Sequence, residues 1–147
     1  MVIYLSKLND CFEKGLLIKT QKEPELSEKE IKQAEFFLKE SEELLELNKK
    51  IISSIALYNS YFHCIRSLLF KDGIKERSHY CIARYFEYKY INKDLLDKKF
   101  LNAFETIMSI RHTAQYSTEP IEIEEDLNEL INICEELLFK IKEIIKW

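Results

Sequence analysis

The chain has 147 residues, of which 46% are hydrophobic and 33% are charged, and its net charge is −4. This balance excludes a disordered or membrane-embedded chain, and the acidic charge argues against a protein that coats nucleic acid through bulk electrostatics. The length predicts one compact domain over residues 1–147 with a substantial hydrophobic core.

Glycine and proline, which mark tight turns and chain breaks, occur only twice each. Their scarcity predicts an all-α fold built from long helices. The N-terminal stretch carries charges within its apolar pattern and lacks the apolar core of a secretion signal, and no apolar run reaches the length of a membrane span. We therefore expect a cytoplasmic protein.

The four cysteines, Cys11, Cys64, Cys81 and Cys134, are widely separated along the chain. They form none of the C-x-x-C pairs that zinc sites and redox motifs favour. Isolated cysteines in a cytoplasmic protein are typically reduced and buried, so we predict four free thiols in the core.

The first two helices are predicted on either side of a break at Pro24. The first covers about residues 2–19 and is weakened near Gly15. The second is predicted to begin at Ser27, because Ser27 and Glu30 have the spacing of a capping box. A single apolar stripe opposite Lys and Glu residues indicates that this second helix packs on the surface of a core.

The third helix, residues 48–73, is apolar almost all round, which predicts a position at the centre of the fold. Gly73 is predicted to end it in a left-handed cap. Asn59, His63 and Arg66 lie at i, i+4 and i+7 and share one polar line. An arginine there needs an ionic partner, a solvent cleft or another chain, while His63 also fits a hydrogen-bonded structural role.

The remaining chain predicts three more helices. A short loop, "IKERS", leads into a fourth helix over about residues 78–90. The fifth begins near Asn92, and its apolar stripe leads into Arg111, while a neighbouring side leads to His112 and Tyr116. Buried positions thus give way to polar residues at one end of this helix, where we expect a cleft. After a break at Pro120, a final amphipathic helix over about residues 123–146 closes the bundle.

Arg111, His112 and Tyr116 form the sharpest candidate site. The planar guanidinium of arginine suits phosphate oxygens, and histidine carries a proton near neutral pH, so this group suits phosphodiester chemistry. The alternative is a helix end whose Arg and His satisfy backbone carbonyls and the helix dipole.

A second candidate is "KERSHYC", in which Arg77, His79 and Tyr80 stand close together; the alternative is a loop whose Ser78 caps the next helix. The three histidines, His63, His79 and His112, do not make a recognisable metal site, because no two lie at i, i+4 and no acidic residue has a familiar ligand spacing. Glycine-rich phosphate loops and G-x-S-x-G are absent from the sequence, so we expect no metal and no cofactor.

Taken together, three stretches resemble the HEPN domain, a nucleotide-binding family of small helical bundles found in higher eukaryotes and prokaryotes. They are "EKGLLIK", "ALYNSYFHCIRSLLFKDGIKERSHYCI" and "IRHTAQYS", and the resemblance covers almost the whole chain. It implies an up-and-down bundle of four to five helices that dimerises, with an active cleft where two copies meet.

The resemblance also implies a function. Many members are metal-independent endoribonucleases, often toxins encoded beside a minimal nucleotidyltransferase antitoxin, and others are noncatalytic modules that bind nucleotides or RNA. In the ribonuclease motif an arginine is followed by a polar residue, a spacer and a histidine. Arg111 and His112 match the first two positions, but Tyr116 stands where the shorter motif has its histidine.

Tyrosine, with an ordinary pKa near about 10, is a poor base at neutral pH, so the proton acceptor must be sought elsewhere. His112 is one candidate, and His79 from a second subunit is another. We predict a homodimer that binds RNA or a nucleotide around Arg111, His112 and Tyr116 and cleaves RNA as a toxin, with a nucleotidyltransferase partner that modifies Tyr116. Four further residues are predicted to bind substrate: Arg77, His79, Arg66 and His63. The alternative is a noncatalytic helical module that binds a nucleotide or a protein.

Overall fold

The computed structural model describes residues 2–146, with side chains from Lys7 onward. Its elements are α1 (Val2–Glu13), β1 (Leu17–Lys19), α2 (Pro24–Glu46), α3 (Lys50–Asp72), β2 (Ile74–Glu76), α4 (His79–Phe86), a π-helical turn (Glu87–Ile91), α5 (Lys98–Tyr116) and α6 (Leu127–Ile144). The fold is 74% helical, which confirms the predicted all-α class. No helix within residues 2–146 combines the length and apolarity that crossing a membrane requires.

Helices α2 and α3 form an antiparallel pair held together by buried serines. The Ser27 hydroxyl donates to the Ser67 carbonyl at 2.8 Å, and the Ser60 hydroxyl donates to the Ala34 carbonyl at 2.7 Å. Small side chains let two helix backbones approach closely, and these bonds satisfy hydroxyls that would be costly to bury alone. The pair is therefore a rigid base for the side chains on the other faces of α3.

Helix α3 lies at the centre of the bundle and packs against α2, α5 and α6, as its apolar circumference predicts. Tyr61 is fully buried, and its hydroxyl donates to the Leu130 carbonyl of α6 at 2.5 Å. The first turn departs from the prediction, because Ile51 and Ile52 are exposed.

A small antiparallel sheet joins β1 to β2, with Leu17 opposite Glu76 and Lys19 opposite Ile74. The prediction of a first helix to residue 19 and of a loop at residues 74–78 was wrong at this point. Local periodicity does not reveal a pairing between segments so distant in sequence. Gly73 ends α3 with φ of 74° and ψ of 43°, the predicted left-handed cap.

The helix starts differ from several predictions. Helix α2 begins at Pro24, and Ser27 is buried within it rather than capping it, because proline suits the first turn and Ser67 offers a tertiary acceptor. Helix α5 begins at Lys98, where the Asp97 carboxylate accepts from the Lys99 N–H at 2.8 Å. Ser78 caps α4 as predicted.

Two cysteines are joined, so the prediction of four free thiols was wrong for Cys11 and Cys81. Their disulfide links α1 to α4, which pack against each other with the two Cα atoms 5.8 Å apart, a distance that a disulfide spans. Their sequence separation of 70 hides this proximity in the sequence. Cys64 and Cys134 are free and buried, as predicted.

Candidate functional site

Tyr58 on α3 brings together two residues from other helices. The guanidinium carbon of Arg111, near the end of α5, lies 4.3 Å from the centre of the Tyr58 ring, which is a cation–π contact. The Tyr58 hydroxyl is hydrogen-bonded to Nδ1 of His79, the first residue of α4. We call Tyr58, His79 and Arg111 the tyrosine cluster.

Arg111 is half-buried near the end of α5. Its Nη1 donates to the Gln115 side-chain oxygen at 3.0 Å, while its Nε is buried and has no hydrogen-bond partner among residues 2–146. A guanidinium has five N–H donors, so this arrangement leaves donor capacity beyond the one bond to Gln115. The group is suited to binding an anion next to Tyr58.

His79 sits between Tyr58 and Phe62, with the Phe62 ring 4.7 Å from its own. Burial lowers the pKa of His79 from its ordinary value of 6.5, and the positive charges of Arg111 and Arg66 lower it further. The imidazole is therefore neutral at pH 7. The hydrogen bond to Tyr58 engages Nδ1, so Nε2 is the nitrogen left to meet a ligand.

Tyr58 itself stays protonated at neutral pH. Burial raises the pKa of its hydroxyl above 10, and the nearby Arg111 offsets part of that rise. Its ring also stacks on Phe104 of α5, with centroids 6.0 Å apart. The Tyr58 ring is thus held by contacts with Arg111 and Phe104, and its hydroxyl holds the His79 imidazole in turn.

Arg66 and His63 occupy the same side of α3 and find carboxylate partners within the chain. The Arg66 Nε lies 3.0 Å from Glu76 of β2, and His63 Nδ1 lies 2.6 Å from Glu30 of α2. Strand β2 therefore supplies the ionic partner that Arg66 needs on the central helix.

Phe62 connects these residues to the tyrosine cluster. It contacts the His79 ring, and its own ring centre lies 5.6 Å from the Arg66 guanidinium carbon. Arg111, His79 and Arg66 therefore follow one face of α3, although they come from three helices.

Three other predicted site residues lie apart from the tyrosine cluster. His112 and Tyr116 pack against each other with ring centroids 5.0 Å apart, and Tyr116 is 66% exposed. Arg77 is exposed, and its backbone N–H donates to the Leu16 carbonyl at 2.8 Å beside the sheet. Within residues 2–146, no three His, Cys, Asp or Glu side chains lie close enough to share a metal ion.

Sequence reasoning did not identify Tyr58 or Glu76 as site residues. Tyr58 lies on the third helix, whose nearly continuous apolar surface does not single it out, and Glu76 lies in the segment predicted to be a loop. One signal was available, because Tyr58, Phe62 and Arg66 are spaced four residues apart and so line one face of a helix.

Comparison with known proteins gives a family match over most of the chain. A family model described as "HEPN domain" matches residues 27–144. This span runs from within α2 to the end of α6 and includes every residue of the tyrosine cluster. No curated protein and no solved structure matches the chain.

Proposed function

The chain belongs to the HEPN domain family, and from that membership we propose that it binds RNA and cleaves it at the tyrosine cluster. Membership supports nucleotide or RNA binding, or ribonuclease-like activity, as the general class of function. The observation that carries the specific proposal is the contact of Tyr58 with both Arg111 and His79. In this contact a guanidinium and a neutral imidazole lie beside the same side chain.

Arg111 supplies electrostatic stabilisation in this proposal. Attack on an RNA phosphate builds negative charge on the phosphoryl oxygens, and a guanidinium held in place stabilises that charge without reorganising. Contact with the Tyr58 ring and the bond to Gln115 restrict the Arg111 side chain before substrate arrives.

His79 acts as the general base. In the tautomer with hydrogen on Nδ1, that N–H donates to the Tyr58 oxygen, and the Nε2 lone pair is free. Nε2 takes the proton of the ribose 2′-hydroxyl as the 2′-oxygen bonds to phosphorus. The bond from phosphorus to the 5′-oxygen breaks, that oxygen takes a proton from water, and the products are a 2′,3′-cyclic phosphate and a 5′-hydroxyl end.

His112 and Tyr116 have a binding role in this scheme. Their exposed rings lie in the last two turns of α5, which also carry Arg111, and aromatic surfaces there can stack on unpaired bases. The competing assignment, in which His112 accepts the proton, receives less support because His112 has no contact with Tyr58 among the described residues.

The test is cleavage of a single-stranded RNA by the purified wild type and by four alanine variants. We expect Arg111→Ala and His79→Ala to lose about 100-fold or more in rate, as removal of an electrostatic stabiliser or a general base does. His112→Ala should keep most of the rate, and so should the control Lys140→Ala, which removes one exposed cation from α6. Circular dichroism checks that each variant is folded.

Two outcomes would change the proposal. Loss of cleavage in His112→Ala with a normal rate in His79→Ala would move the base to His112. Binding of RNA by the wild type without any cleavage would favour the second candidate, a noncatalytic binding module. That candidate is supported by the separation of Tyr116 from the tyrosine cluster, because the motif tyrosine then has no contact with the motif arginine.

We also propose a homodimer and a nucleotidyltransferase partner, with the protein acting as a cytoplasmic toxin. Family membership supports dimerisation in general, and the exposed rings of Tyr80 on α4 and Tyr116 at the end of α5 offer apolar surface. Light scattering on the purified protein tests the dimer, whatever surface forms the contact. Incubation with the partner and ATP followed by intact mass measurement tests modification of the exposed Tyr116 hydroxyl; a mass without an adduct would reject it.

A further inference from the structure

A pocket of about 370 Å³ lies beyond Arg66, at the end of α3 opposite to its first turn. It is lined by residues from the start of α2, the last turns of α3 and strand β2, among them Glu23, Arg66, Phe70, Lys75 and Glu76. Its volume falls in the range of small-molecule binding sites. None of its residues has a part in the cleavage chemistry proposed above.

The pocket offers flat surfaces for stacking. The Arg66 guanidinium carbon lies 5.0 Å from the centre of the Phe70 ring and 5.6 Å from that of Phe62. Unpaired bases in RNA complexes stack on aromatic rings and on guanidinium planes. A flat heterocycle is therefore a better occupant than a compact anion.

The charges of the pocket also favour a base over a phosphate. The lining residues include two acidic residues, Glu23 and Glu76, and two basic residues, Arg66 and Lys75. Arg66 is already paired through Nε with Oε1 of Glu76 at 3.0 Å. The pocket therefore lacks the excess positive charge that a phosphate would need, whereas a carboxylate can accept N–H donors from a base edge.

We propose that this pocket binds a guanine base of the RNA substrate, through the juxtaposition of the Phe70 ring, the Glu76 carboxylate and the Lys75 ammonium. The inference rests on the proposed function of the tyrosine cluster. Guanine presents two adjacent donors, N1–H and the N2 amino group, which match the two oxygens of a carboxylate. Its O6 and N7 are acceptors suited to a lysine.

The other bases match the pocket less well. Adenine and cytosine each present one amino donor beside a ring nitrogen that accepts, and that nitrogen would repel a carboxylate. Uracil presents one N–H between two carbonyl oxygens. Only guanine has paired donors next to an acceptor that Lys75 can bind.

The pocket and the tyrosine cluster can bind one RNA strand together. Tyr58 and Arg66 are eight residues apart on α3, which corresponds to about 12 Å along the helix axis. Phe62 lies between them and contacts both His79 and Arg66. A guanosine would therefore occupy a fixed position relative to the phosphate at Arg111.

The test compares binding of the four ribonucleoside monophosphates and of inosine monophosphate, which lacks the N2 amino group, by calorimetry. We expect the wild type to bind GMP about tenfold more tightly than AMP, CMP, UMP or IMP, in line with the value of one paired contact. Glu76→Gln and Phe70→Leu should each reduce this preference to less than about threefold. The control Glu143→Gln, which removes an exposed carboxylate from α6, should keep it.

Equal binding of all five nucleotides by the wild type, no binding at all, or an unchanged preference in Glu76→Gln would each overturn the proposal. Thermal melting identifies a variant that fails to fold, and Lys75→Ala then supplies the second test, because its exposed side chain leaves the core intact. Arg111→Ala separates the two proposals. If the protein prefers GMP and the Arg111→Ala variant cleaves RNA as fast as the wild type, the proposal of a base pocket stands and the proposal of the cleavage site fails.

Discussion

At the scale of single residues, Tyr58 explains why Arg111 and His79 lie in one place. Both contact the same ring or hydroxyl, although they are 32 residues apart in sequence and belong to different helices. Partial burial of the His79 ring also lowers its pKa, and the positive charges of Arg111 and Arg66 add to that effect because they disfavour the imidazolium.

This lowered pKa predicts the pH dependence of cleavage. His79 becomes neutral, and so able to accept a proton, at a pH below its ordinary 6.5. The rate should therefore rise with pH, reach half of its plateau below pH 6.5 and be constant through neutral pH. Initial rates of RNA cleavage between about pH 4.5 and 9 measure this profile.

The same profile measured with His112→Ala is the control and should be unchanged. A half-maximal rate near pH 10 would indicate a tyrosine as the base and would contradict the assignment to His79.

Residue types alone identified Arg111, His79 and Arg66 as candidates, because charged or titratable side chains beside an apolar stripe need a partner, a solvent cleft or a ligand. They did not identify Tyr58, because a tyrosine in an apolar helix is indistinguishable from a core residue until its hydroxyl finds a partner. They also grouped Arg111 with Tyr116, its neighbour in sequence, whereas the structure groups Arg111 with Tyr58.

At the scale of elements, the turn after α3 positions both parts of the site. Gly73 ends the helix, β2 follows with Lys75 and Glu76, and Ser78 starts α4 immediately before His79. The turn is packed tightly, because a Cβ atom at Gly73 would lie 2.5 Å from the Thr20 carbonyl oxygen.

Substitution at the two glycines tests this packing. Both have positive φ, but a Cβ at Gly15 would meet nothing within 4 Å. Gly15→Ala should cost about 1 kcal/mol in unfolding free energy from its backbone conformation alone. Gly73→Ala should cost above about 3 kcal/mol, because a clash with backbone adds to that penalty. Urea unfolding of both variants measures the difference, and equal losses would show that the turn is not tightly packed.

The presence of the helices was predictable from apolar periodicity and capping residues. The residues at which several of them begin were not. Ser78 and Gly73 act as predicted because their roles depend on adjacent backbone. Ser27 does not, because its hydroxyl bonds to Ser67 on another helix, and no local pattern reports such a bond.

At the scale of the whole molecule, the disulfide attaches α1 to the rest of the bundle. Cys11 lies outside the span that matches the HEPN family, while Cys81 lies within it, two residues after His79. A bond between residues so far apart restricts the unfolded chain strongly.

Reduction should therefore lower stability. Closing a loop of this length contributes about 4 kcal/mol in the chain-entropy account. We expect a reducing agent to lower the melting temperature of the wild type by at least several degrees and to leave that of a Cys11→Ser, Cys81→Ser double variant unchanged. An identical melting temperature for the wild type with and without reductant would argue against the bond.

At the same scale, the central proposal is that Arg111 and His79 serve one reaction. A double-mutant cycle on the rate of RNA cleavage tests this claim most directly. If both groups act on the same transition state, Arg111→Ala and His79→Ala should each cost about 100-fold, and the double variant should be little slower than either one. A double variant slower than the wild type by about 10,000-fold, the product of the two single losses, would show that the two groups act independently and would contradict this proposal.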